Sequence, residues 1–74
     1  MAAFWDNETM VGKIAKNSRE EIHVKQVEKG GRQYVDIRVF WLDNNSNEYR
    51  PSQKGVTIPR ENFEEFKSII DDVK

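Results

Sequence analysis

The sequence predicts an α+β chain, strands first and one helix last, and three observations carry that reading. Gln33–Leu42 (QYVDIRVFWL) is rich in β-branched and aromatic residues and is bounded by Gly30-Gly31 and by Asn44-Asn45-Ser46-Asn47, the pattern of a strand between two turns. Shorter runs with strand alternation flank it on both sides. Beyond Pro59, Phe63, Phe66, Ile70 and Val73 recur at helical spacing, with Ile69 beside them.

In chain order, residues 1–8 read as a loosely held arm, and residues 9–74 as one domain. Phe4 and Trp5 lie in the arm beside acids and show no period, so docking on a neighbour and remaining mobile stay open for them. Thr9–Lys16 alternates as a short strand, and Asn17-Ser18 reads as a turn. In Glu21–Glu28, Ile22, Val24 and Gln26 share one face, while Glu21, His23, Lys25 and Val27 form the other, read as polar and outward. Lys29-Gly30-Gly31-Arg32 is a hairpin turn in which the glycines can take positive φ.

The central strand then puts Val35, Ile37, Val39 and Trp41 on one face and Tyr34, Asp36, Arg38, Phe40 and Leu42 on the other. Pro51 cannot donate to a ladder, so Glu48–Ile58 is an edge strand, or two short strands broken at Pro51–Lys54. Pro59 pre-sets a helix start. The apolar stripe that follows spans four turns, with Glu61, Glu64 and Glu65 at its favourable N-terminal end.

Length sets the assembly. A single core in 74 residues is close to the lower limit of independent stability. With no cysteine and one histidine, neither disulfides nor a thiolate or His-rich metal site can staple it. Self-association is the remaining source of buried area, so a homodimer is expected, with Phe63, Phe66, Ile69, Ile70 and Val73 supplying part of its interface. The lack of cysteine, of a signal peptide and of a membrane span gives an intracellular expectation: cytoplasm or nucleoid in a prokaryote, nucleus in a eukaryote.

A net charge of −1 argues by itself against a nucleic-acid binder, but the charge is unevenly spread. Residues 10–60 hold ten Lys/Arg against six Asp/Glu, whereas residues 61–74 hold two Lys against five acids. Nothing catalytic emerges. His23 reads as a surface histidine, the paired acids Glu64-Glu65 and Asp71-Asp72 lie on a solvated helix face, and no phosphate loop, nucleophile elbow or metal-ligand spacing is present. No cofactor is implied. What remains is cations interleaved with aromatics on strands: Lys25, Arg32, Tyr34, Arg38, Phe40, Trp41, Tyr49, Arg50 and Lys54. Single-stranded nucleic acid is bound by this mixture, cations tracking phosphates while rings stack on unpaired bases. A protein-interaction module that uses the aromatic sheet face is the alternative.

Asp36-Ile37-Arg38, Trp41, Asp43, a polar turn, Pro51, Lys54-Gly55-Val56-Thr57-Ile58 and the terminal amphipathic helix together resemble the single-stranded-DNA-binding domain of the transcriptional positive cofactor 4 family, in its prokaryotic or phage type. The likeness covers about residues 32–70, and Gly12-Lys13-Ile14 is similar to the start of the family's first strand. It implies a curved four-stranded antiparallel sheet followed by one C-terminal helix, a homodimer, and single-stranded DNA as partner in transcription, replication or recombination, with RNA left open. On matching positions it implies Arg38 and Lys54 as phosphate cations, Trp41 as a stacking surface and Lys13 as a supporting cation. The family's stacking Phe corresponds to Lys29 here, and a basic position is Gln53. Alternation puts Arg38 and Trp41 on opposite faces unless the strand twists sharply or bulges between them, so a core role for Trp41 stays open.

Overall fold

A computed structural model describes residues 4–74. Four antiparallel strands, β1 (Asn7–Asn17), β2 (Glu20–Lys29), β3 (Arg32–Asp43) and β4 (Glu48–Pro59), lie side by side in chain order in one sheet. A 3-10 turn, Arg60–Asn62, leads into the helix α1 (Phe63–Asp71). The expected α+β class and strand–helix order are the ones observed. β1 starts at Asn7, so Asn7 and Glu8 belong to the sheet, and residues 1–3 of the expected arm lie outside the described residues.

Local chemistry sets the connections. Gly30 and Gly31 take φ of +58° and +80°, so both central positions of the β2–β3 hairpin are left-handed, the geometry that matches strand twist. In the β3–β4 loop Asn47 has φ 60°, its N–H donating to the Asp43 carbonyl at 2.7 Å, while the Asn45 N–H donates to Asp43 Oδ1 at 2.9 Å. β4 stays one strand despite Pro51 because it is an edge. The break foreseen at Pro51–Lys54 is a bulge, where pairing jumps from Arg38↔Gly55 to Phe40↔Pro51.

The pairing registers sort side chains onto two faces. One, here the arginine face, carries Tyr34, Asp36, Arg38 and Phe40 of β3 opposite Val27, Lys25, His23 and Glu21 of β2. The other, the tryptophan face, carries Val35, Ile37, Val39 and Trp41 opposite Gln26, Val24, Ile22 and Glu20. Among the described residues the buried apolar set is Val27, Val35, Phe40 and Ile58. Val27 and Phe40 lie on the arginine face, and the paired Val35 and Ile58 lie on the tryptophan face.

Two expectations need correction here. His23 is buried, its ring stacked on Phe40 at 4.0 Å between centroids and its Nε2 within 2.9 Å of Glu21 Oε1. The face of β2 read as outward therefore holds the core residues His23 and Val27, because the neighbouring strand places Phe40 and Tyr34 over them. The helix is also shorter than four turns. It stops at Asp71, where Asp71 and Asp72 stand at the negative pole of the dipole with no basic residue in the last turn, and Val73 lies past its end.

Candidate nucleic-acid interface

The arginine face holds a depression of about 890 Å³ whose walls include Phe4, Trp5, Lys25, Lys29, Tyr34, Arg38, Phe40 and Gln53. Its floor is a polar network built around Asp36, which is 3% exposed. Arg38 Nε and Nη2 donate to the two Asp36 carboxylate oxygens at 3.2 and 3.1 Å, and Thr57 Oγ1 donates to the same carboxylate at 2.9 Å. The remaining arm of the guanidinium, Nη1, donates to the Ser52 carbonyl at 3.0 Å. Arg38 thus ties β3 to the β4 bulge while staying partly open to the depression. Beside it, the Lys25 ammonium stands 4.6 Å above the Phe40 ring and pairs with Glu8 at 3.1 Å.

The bulge is itself an ordered unit. Ser52 Oγ donates to the Val39 carbonyl at 2.7 Å and accepts the Lys54 N–H at 3.1 Å. At Gly55 the backbones approach so closely that a Cβ would stand 2.7 Å from the Ile37 carbonyl oxygen and 2.9 Å from Arg38 Cα. Glycine is required there by contact, not by a positive φ.

The sequence-derived candidates divide between the faces. Lys25 and Arg38 meet in the depression. Tyr49 lies on the same face with its ring 6.3 Å from His23, and Lys13 is exposed on β1 opposite His23. Arg32 is the first residue of β3 after the hairpin, exposed and paired with Lys29. Trp41 and Arg50 pair with each other on the tryptophan face, and the β2–β3 register runs unbroken past both Arg38 and Trp41. No bulge in β3 brings those two residues to one side. Trp41 is 42% exposed, so it lies outside the buried core. The Asn17 amide holds the Glu20 carboxyl below its usual value. Gly55 pairs with Arg38, so strand alternation turns the neighbouring Lys54 to the tryptophan face. Arg50 Nε donates to Asp43 Oδ2 at 2.6 Å and lowers the Asp43 carboxyl. Trp41, Arg50 and Lys54 thus form a second cluster, separated by the sheet from Arg38.

Lys29 and Ser52 line this surface and were not among the candidates, and the buried His23 lies beneath it against Phe40. For His23 the signal was parity with Val27, and for Ser52 its position two residues before Lys54 in a proline-broken edge. The Glu64-Glu65 pair is exposed on α1, and no three His, Cys, Asp or Glu side chains among the described residues converge as a metal would need. None of the described helices is long and apolar enough to cross a membrane.

A single antiparallel sheet followed by a terminal helix is a fold this chain shares with two solved PC4 homologues. One, from Burkholderia pseudomallei K96243, aligns with a TM-score of 0.77 over 86% of this chain and 93% of that one, at 20% identity. The other, the bacteriophage T5 homologue of the eukaryotic coactivator PC4 implicated in recombination-dependent DNA replication, aligns with a TM-score of 0.62 over 89% of this chain and 80% of that one, at 22% identity. A Caenorhabditis elegans protein described as an RNA polymerase II transcriptional coactivator is 30% identical over 43 residues, 58% of this chain but 35% of its own length. The family model of the transcriptional coactivator p15 (PC4) matches residues 16–69, and the chain belongs to that family.

Proposed function

We propose that the chain is a homodimeric single-stranded DNA-binding protein with little sequence preference, serving transcription regulation or replication and recombination, and that its role is binding, not catalysis. One observation supports this most directly: the arginine-face depression brings the rings of Phe4, Trp5 and Tyr34 together with the cations Lys25, Lys29 and Arg38. Rings accept unpaired bases of any identity and cations follow the phosphates, so the chemistry selects single strands without reading their sequence. On the arginine face Lys13, Lys25, Arg32 and Arg38 are assigned to the backbone and Tyr49 to stacking; on the opposite face Lys54 and Arg50 are assigned to phosphates beside the ring of Trp41, as a second contact. Family membership supports the same reading, as does the phage homologue's implication in DNA replication.

Surface area supports the dimer. The chain exposes 5808 Å², about 1,100 Å² more than the roughly 4,700 Å² typical of a folded monomer of its mass. That excess is comparable to one partner's share of a standard interface, roughly 800 Å². Among the exposed apolar residues, Ile14, Val56, Ile69, Ile70 and Val73 lie on the tryptophan face or on the helical tail and are assigned to that interface.

Anisotropy of labelled oligo-dT across a salt series tests the reading. Binding should weaken steeply as salt rises, and unlabelled single-stranded DNA should compete far better than duplex. Equal competition by duplex, or no binding at low salt, would overturn it. RNA as a third competitor settles the sugar preference.

A further inference from the structure

We propose that Phe4 and Trp5, held against Lys29, form a base-stacking platform at the hairpin end of the arginine-face depression. The inference rests on the single-strand reading above and extends that site to a segment ahead of the first strand. Three hydrogen bonds fix the segment. The Asp6 N–H donates to the Glu28 carbonyl at 2.8 Å, the Gly30 N–H donates to Asp6 Oδ2 at 2.9 Å, and Lys29 Nζ donates to the Phe4 carbonyl at 2.7 Å. These bonds place the two rings beside the β2–β3 hairpin. Phe4 meets Trp5 edge-on at 4.7 Å, and Trp5 leans on Tyr34 at 5.8 Å.

The exposure of Phe4 is the telling quantity. A ring that served the core would be buried, yet Phe4 is 68% exposed although held from two sides. The Lys29 ammonium stands 4.9 Å from its centroid, and no carboxylate forms an ion pair with Lys29 among the described residues. An exposed ring with an adjacent cation is the pairing a stacked base and its phosphate require. The platform is continuous with the rest of the site, because Phe4, Trp5, Tyr34 and Phe40 line one depression along with Lys25 and Arg38. From Tyr34 to Arg38 the strand runs about 13 Å, so the platform and the guanidinium mark two points along one track.

The test is oligo-dT affinity of Phe4→Ala, Trp5→Ala, Trp5→Phe and Lys29→Ala beside the unaltered chain, each checked by its thermal midpoint. Phe4→Ala and Trp5→Ala should each weaken binding at least about five-fold, the lower end of what loss of one stacked base gives. Trp5→Phe should retain most of the affinity, and Lys29→Ala should also flatten the salt dependence. In a Trp41→Phe background, Trp5 emission should be quenched on adding oligo-dT. Should Trp5→Ala fail to fold, the exposed Phe4 and the quenching signal still decide. Unchanged affinity with unquenched Trp5 overturns the platform and leaves the single-strand reading standing. Tighter binding by Phe4→Ala would make the segment a plug and overturns it too. If the unaltered chain ignores oligo-dT altogether, the broader reading fails and the platform with it.

Discussion

Asp36 and Arg38 hold the middle of the sheet together, and either one alone would be a liability. Arg38→Ala leaves a buried carboxylate with only the Thr57 hydroxyl. It should therefore cost about 2 kcal/mol of stability, less than the roughly 3–5 kcal/mol of a wholly buried pair because the guanidinium still meets water. Asp36→Asn with Arg38→Ala should recover part of that loss in denaturant unfolding, and a non-interacting sum would disprove the coupling. Trp41 behaves differently. Being partly exposed, Trp41→Ala should shift the thermal midpoint little while weakening oligo-dT by about 1–3 kcal/mol. A large midpoint loss with unchanged binding would assign it to packing instead. Asp43 gives a pH signature. Its carboxyl is lowered first by the Arg50 hydrogen bond, so its stabilising effect is full above the unfolded value and is lost as pH falls through the lower folded value. Arg50→Ala should move the Asp43 titration, followed by NMR, back up towards the ordinary carboxylate range.

The β4 bulge is the element on which both clusters depend, since Ser52 receives Arg38 on one side and orients the Lys54 backbone on the other. Gly55→Ala must push β4 away from β3 and should cost about 1–3 kcal/mol, with weaker oligo-dT binding because Lys54 shifts with the strand. An unperturbed midpoint would show that the strands can part without loss. Strand positions, the Gly30-Gly31 hairpin and the Asn44–Asn47 loop were legible in the sequence because each is set by a local rule. Parity along β3 was legible too, including the opposition of Arg38 and Trp41. What was not legible is which polar residue a neighbouring strand would cover. His23 and Lys25 are two apart on one face, yet Phe40 stacks on the first while the second reaches across its ring to Glu8. The arm at Phe4–Asp6 has no period to read, because hydrogen bonds to Glu28, Lys29 and Gly30 fix it.

At the scale of the molecule, the proposed dimer would give a slab of 39 × 35 × 18 Å with few buried side chains a second source of buried area. Phe66→Glu or Ile70→Glu should give monomer or unfolded chain in sedimentation, because a buried unpaired carboxylate costs roughly 3 kcal/mol or more. A folded wild-type monomer at micromolar concentration would refute the dimer. The two outer strands carry a different consequence. β1 and β4 are both edges, and an extended edge is ordinarily a template on which further chains polymerise. Here β1 is kinked twice, between Met10 and Gly12 and between Ala15 and Asn17, and carries Lys13 and Lys16 along its exposed length, while β4 is interrupted by Pro51 and its bulge. An incoming strand could lay down only a few consecutive rungs against either margin before losing register. Both margins thus disfavour fibre growth, which is consistent with the proposed dimer forming through a face and the helix, where assembly can close.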